Sequence, residues 1–211
     1  MARDWIAETL RLSLFSAEAV SLADADWTQL TGQEEAETRQ LIPGGGKRYI
    51  GNVGSRQLTV TAAGPRADIV LSPLAESQEQ FQFSTLGHWK DAIAAFLEVT
   101  DGWLTQVSFP VIRIAFGAIL LSETKGVFES YEALQGLLKS VAVQPGKMRE
   151  LIYRINWPQE SKAVKGLSLN RITNWSGVQV SAVLLQVGSG VTTAGGRPEK
   201  FAVRLEIDHN N

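Results

Sequence analysis

Apolar and polar residues alternate strictly along Leu10-Arg11-Leu12-Ser13-Leu14, which places three leucines on one face and predicts a half-buried strand. A polar flank from Ser21 to Gln40 follows, in which Asp26-Trp27-Thr28-Gln29-Leu30 predicts a short helix entered through an Asp cap, with Glu34 to Arg39 exposed. Pro43-Gly44-Gly45-Gly46 breaks the chain before a strand or irregular edge over Lys47 to Gln57. Leu58 to Ala62 and Ala67 to Leu71 flank Gly64-Pro65, a hairpin signature. From Thr85 to Leu104 the period changes to three and four, with Leu86, Trp89, Ile93, Phe96, Leu97 and Trp103 on one helical stripe.

The second half repeats this order of elements. Val107 to Leu121 reads as an apolar strand, with Pro110 near its start and Gly117 placed for a bulge or a close backbone approach. Phe128, Tyr131, Leu134 and Leu138 mark a helix ending before Pro145-Gly146. Leu151 to Trp157, Leu167 to Leu185 and Phe201 to Ile207 complete an antiparallel meander, with Gly188 to Pro198 as the loop before its last strand. The expected fold class is therefore α+β: a mainly antiparallel sheet with two principal helices, its order permitting two pseudo-repeated halves. Residues 1–105 and 106–211 are expected to form an N-terminal and a C-terminal α+β half, packed as one unit.

Composition narrows the function classes. Hydrophobic residues make up 44% and charged residues 20% of 211 positions, a globular balance. The net charge of -2 argues against a protein devoted to gripping phosphate backbone. Cysteine is absent, which removes disulfides, thiolate catalysis and zinc-thiolate sites. No leader pattern opens the sequence and no apolar run approaches the ~18 residues needed to span a bilayer, so a cytoplasmic location with no membrane partner is expected.

Few motifs carry chemistry. Pro43-Gly44-Gly45-Gly46-Lys47-Arg48 lacks the spacing of a P-loop and the Ser or Thr that would hold magnesium after the Lys. Gly188-Ser189-Gly190 and Gly195-Gly196-Arg197 suit a hairpin loop, because no helix follows to present its N-terminus to a phosphate. His88 and His209 are the two histidines; Glu206, Asp208 and His209 would make a weak metal trio, but a solvated C-terminal tail is the expectation. No catalytic residue, metal site or cofactor is therefore assigned.

The strongest pattern is a pair of strands, each with Arg, Asn and Trp: Tyr153-Arg154-Ile155-Asn156-Trp157-Pro158 and Leu169-Asn170-Arg171-Ile172-Thr173-Asn174-Trp175-Ser176. If the strands are neighbours, Arg154, Asn156, Trp157, Arg171, Thr173, Asn174 and Trp175 form the candidate binding set, able to hold carboxylate, phosphate or a partner's acidic side chains. The competing arrangement is an outer sheet face on which Arg154 and Arg171 pair with Glu150, Glu206 or Asp208. Together with Leu205-Glu206-Ile207-Asp208, these segments resemble an uncharacterised, sporadically distributed family of bacterial proteins with no established activity. The resemblance implies an accessory gene of the mobile-element, defence or toxin-antitoxin kind.

These observations converge on a non-enzymatic interaction protein, an accessory or regulatory subunit that binds a protein partner or forms a homo-oligomer. The alternative is a nucleic-acid or nucleotide binding module using Arg154, Arg171, Lys147, Arg149, Lys162 and Lys165. An enzyme with carboxylates Glu206 and Asp208 is the third reading.

Overall fold

Leu10, Leu12 and Leu14 are buried as their alternation requires, and they sit in a strand that the sheet covers on both sides. The computed structural model describes residues 3–74, 82–181 and 198–211. In chain order the elements are β1 (Ile6–Phe15), α1 (Asp24–Thr31), β2 (Thr38–Ile42), β3 (Gly46–Val53), β4 (Arg56–Ala63), β5 (Arg66–Pro73), α2 (Trp89–Leu104), β6 (Arg113–Thr124), α3 (Val127–Leu137), β7 (Ile152–Asn156), β8 (Gln159–Glu160), β9 (Ser168–Ser181) and β10 (Glu199–Asn210). The fold is α+β, with one antiparallel sheet ordered β2-β3-β4-β5-β1-β6-β10-β9-β7 and β8 paired to β9. Each half closes its first strand against its last, β1 on β5 and β6 on β10, and the two first strands lie side by side in the middle.

The helices lie on one side of the sheet. Trp27 of α1, Phe96 and Trp103 of α2 and the inward residues of β1, β4 and β5 make one buried cluster. Tyr131 and Leu134 of α3 make a second cluster with Val203, flanked by Tyr153 and Trp175. Close approach is secured by glycines: a Cβ on Gly51 would stand 2.7 Å from Trp27 Cζ2, and one on Gly177 would stand 3.3 Å from Tyr131 Cε2. Asp26 joins two helices, one carboxylate oxygen accepting the Ala23 N–H at 2.7 Å and the other the Trp103 indole N–H at 2.8 Å.

Several expectations need correction. The α1 N-cap is Ala23, with Asp26 in the first turn reaching back to it, so the acid is a partner of the cap and not the cap itself. The helix expected from Thr85 begins at Trp89, because Gly87 adopts φ 91 and residues 86–88 run alongside β1, Leu86 donating to and Gly87 accepting from the Ala7 backbone, before the Trp89 N–H closes on the Trp5 carbonyl. Within it Phe96 and Trp103 are buried, whereas Trp89 is only partly covered and Leu97 is exposed. The strand expected from Val107 starts at Arg113, after Pro110. Thr38–Ile42, exposed up to a half-buried Ile42, form an edge strand that the polar Thr38-Arg39-Gln40 did not announce, and Pro43-Gly44-Gly45 turns it into β3. The residues expected to be a terminal tail belong to β10, which continues to Asn210. The expected loop over 188–198 lies, except for Pro198, outside the described residues. Among the described residues no helix is long and apolar enough to cross a membrane.

Candidate functional site

The two Arg/Asn/Trp strands are neighbours, β7 pairing antiparallel with β9. The register sets Arg154 opposite Asn174, Asn156 opposite Ile172, Ile155 opposite Thr173 and Tyr153 opposite Trp175. Directly opposed residues share a face. Arg154, Asn156 and Asn174 therefore lie on the helix-free face, while Arg171, Thr173 and Trp175 lie on the face that carries α3. The sequence allowed both guanidinium groups on one surface; the register separates them.

On the helix side, Trp175 meets Trp5 edge to face at 6.1 Å and donates its indole N–H to Thr173 Oγ1 at 3.2 Å. Both residues serve packing there. Arg171 donates to Gln159 Oε1 at 2.7 Å, which ties β8 to β9. Trp157 lies just past β7, 63% exposed, with its backbone N–H on the Arg171 carbonyl. Burial and the nearby Arg171 charge both hold His209 below the usual histidine pKa. His209 points to the helix side and Glu206 and Asp208 to the other, so the three cannot converge on one ion.

The helix-free face holds a cleft of about 410 Å³ over the centre of the sheet. Arg11 of β1 and Arg154 of β7 stand in its lining with Asn174, Glu206 and Asp208. Gly117 of β6 lies between Arg11 and Asp208 in register and gives the floor no side chain. The Arg11 guanidinium lies over that gap, since a Cβ on Gly117 would stand 3.3 Å from Nη2 and 3.4 Å from Nε. The glycine expected to allow a close approach thus does so, for an arginine.

The cross-strand ion pairs expected for Arg154 and Arg171 do not form: among the described residues neither has a carboxylate within salt-bridge distance. Glu206 pairs with Arg204, which also approaches Glu8 at 3.6 Å. Asp208 is held by a ladder of amides across three strands. Asn156 donates to Asn170 at 2.9 Å, Asn170 to Asn210 at 3.1 Å, and Asn210 to Asp208 Oδ1 at 3.0 Å. Such a chain polarises toward its carboxylate end, and Asn156 is thereby a positioning residue. Arg11 Nε and Asn174 Oδ1 are buried and unpartnered.

Arg11 was absent from the sequence-based set because it occupies the polar position of a strand alternation, the ordinary place of a solvated side chain. The available signal was Gly117, but nothing in the sequence pairs β1 with β6. Comparisons with protein-family models, with curated proteins and with solved structures found no match for this chain.

Proposed function

We propose that this chain is a non-enzymatic interaction protein that receives an extended, acidic segment of a protein partner along β7. The observation that carries the reading is the character of that sheet edge. β7 is a terminal strand of the sheet, so among the described residues the backbone groups on its outer side have no strand to pair with. Its first residue, Ile152, is 71% exposed, and Trp157 just beyond its end is 63% exposed, two apolar anchors flanking four residues of backbone.

Charge selects the partner. From Lys147 to Arg171 there are six Lys or Arg against two Glu, in a chain whose net charge is -2. An added strand gains affinity from main-chain hydrogen bonds and specificity from alternate side chains; here a partner with acidic side chains set beside Arg154 and apolar ones over Ile152 and Trp157 fits. The same basic stretch supports the nucleic-acid alternative less well, because the exposed aromatic ring is single and stacking platforms use successive rings.

The test is affinity purification of the tagged protein from its host at low and high salt, beside a Trp157→Ala, Ile152→Ser variant. A protein recovered at fixed stoichiometry by the parent chain and lost by the variant is the expected result. Nucleic acid released by salt, with no protein lost in the variant, would replace this reading by the alternative.

A further inference from the structure

We infer that the cleft on the helix-free face is a binding site for a small zwitterion, an α-amino acid or short peptide, distinct from the partner edge at β7 while sharing Arg154 with it. Its volume of about 410 Å³ lies in the range of small-molecule sites, about 300–1,000 Å³. Its walls carry both signs of charge. Arg11 and Arg154 enter from strands four positions apart in the sheet, and neither makes a hydrogen bond or ion pair among the described residues. Asp208 uses Oδ1 for the Asn210 amide, while Oδ2 has no partner among the described residues. Glu206, in contrast, is already neutralised by Arg204.

Each unpaired group asks for a complementary atom. A carboxylate on the ligand would take the Arg11 guanidinium, which lines the cleft. An ammonium would take Asp208 Oδ2. A simple polyanion fits less well, because the Asp208 carboxylate, which has no ion pair among the described residues, lines the same cleft and would repel it. The floor is built for the purpose: Gly117 lets the Arg11 guanidinium lie low over the sheet, and the three-amide ladder fixes the Asp208 carboxylate from the other side.

Isothermal titration calorimetry of the full chain against the standard L-amino acids and glycylglycine tests this, with succinate and putrescine as ligands of one sign only. Saturable binding of at least one zwitterion is expected, with succinate and putrescine weaker by about tenfold or more, the loss of one hydrogen-bonded charge. Arg11→Ala and Gly117→Val should each lower affinity by a similar factor, and Arg11→Lys, which keeps the charge and the fold but not the fork, should do so too. Absence of binding by every amino acid and by glycylglycine would overturn the inference. So would succinate binding as tightly as the best zwitterion, or unchanged affinity in folded Arg11→Lys and Gly117→Val proteins.

Discussion

Trp27 and Trp103 offer a controlled comparison, because both side chains are 1% exposed in the same cluster but only one indole N–H is satisfied. Trp103 donates to Asp26 Oδ1 at 2.8 Å; Trp27 Nε1 is buried without a partner. Trp→Phe at either position removes similar atoms, so the packing loss largely cancels in the difference between them. At Trp103 the change also deletes a hydrogen bond to a charged acceptor, worth about 1.5–3 kcal/mol. At Trp27 it removes an unsatisfied donor, whose burial costs about 1–3 kcal/mol. Trp103→Phe should therefore be the more destabilising by at least about 2 kcal/mol in urea unfolding at equal m-value. Asp26→Ala supplies the cycle: it should abolish the excess cost of Trp103→Phe and leave Trp27→Phe unchanged. Equal costs for the two Trp→Phe variants, or a coupling between Asp26 and Trp103 below about 0.5 kcal/mol, would refute this account of what joins α1 to α2.

Other consequences are simpler. Phe96→Ala should cost about 3–5 kcal/mol as a buried large-to-small change, whereas Trp89→Ala, at a partly covered site, should cost clearly less; calorimetric melting of both orders them. Gly51→Ala should destabilise by about 1–3 kcal/mol, because its Cβ would stand 2.7 Å from the Trp27 ring, which is held on its other side by the core; an unchanged denaturation midpoint would contradict that packing. His209 has a lowered folded pKa, so the unfolded chain binds more protons once pH drops below about 6.5, and stability should fall from there toward the folded value. Burial is the larger cause and Arg171 the second, so Arg171→Gln should raise the His209 midpoint part of the way in an NMR titration, and a downward move would contradict the assignment.

What the sequence made legible followed local pattern. The β4–β5 hairpin could be read because two alternating runs flank Gly64-Pro65, and α2 and α3 because their apolar spacing changes to three and four. The exposed β2 edge was not legible: Thr38-Arg39-Gln40 carries no apolar face, and its strand geometry comes from pairing with β3. The apolar run before β6 misled for the opposite reason, since Phe109 to Val111 is hydrophobic but lies outside the strand, and the first bond to β1 comes from the Ile112 N–H. For the site the decisive unknown was register. Sliding β7 by one residue against β9 would have put Arg154 and Arg171 on a common face; alternation identifies which residues of one strand travel together but not which partners they meet.

Arg154 belongs to both proposed sites, and this makes them separable by experiment. It lies in β7, the strand offered to a partner, and its side chain also lines the central cleft. Arg11 lines only the cleft, and Trp157 lies only at the rim. Arg11→Ala should therefore weaken the zwitterion and spare the partner, Trp157→Ala should do the reverse, and Arg154→Ala should weaken both. Shared use of one side chain also implies thermodynamic linkage. If a bound zwitterion draws the Arg154 guanidinium into the cleft, partner affinity must change by the same factor as zwitterion affinity changes on adding the partner. Two titrations in either order should then give one coupling factor; a factor different from one that survives Arg154→Ala would locate the coupling elsewhere in the sheet.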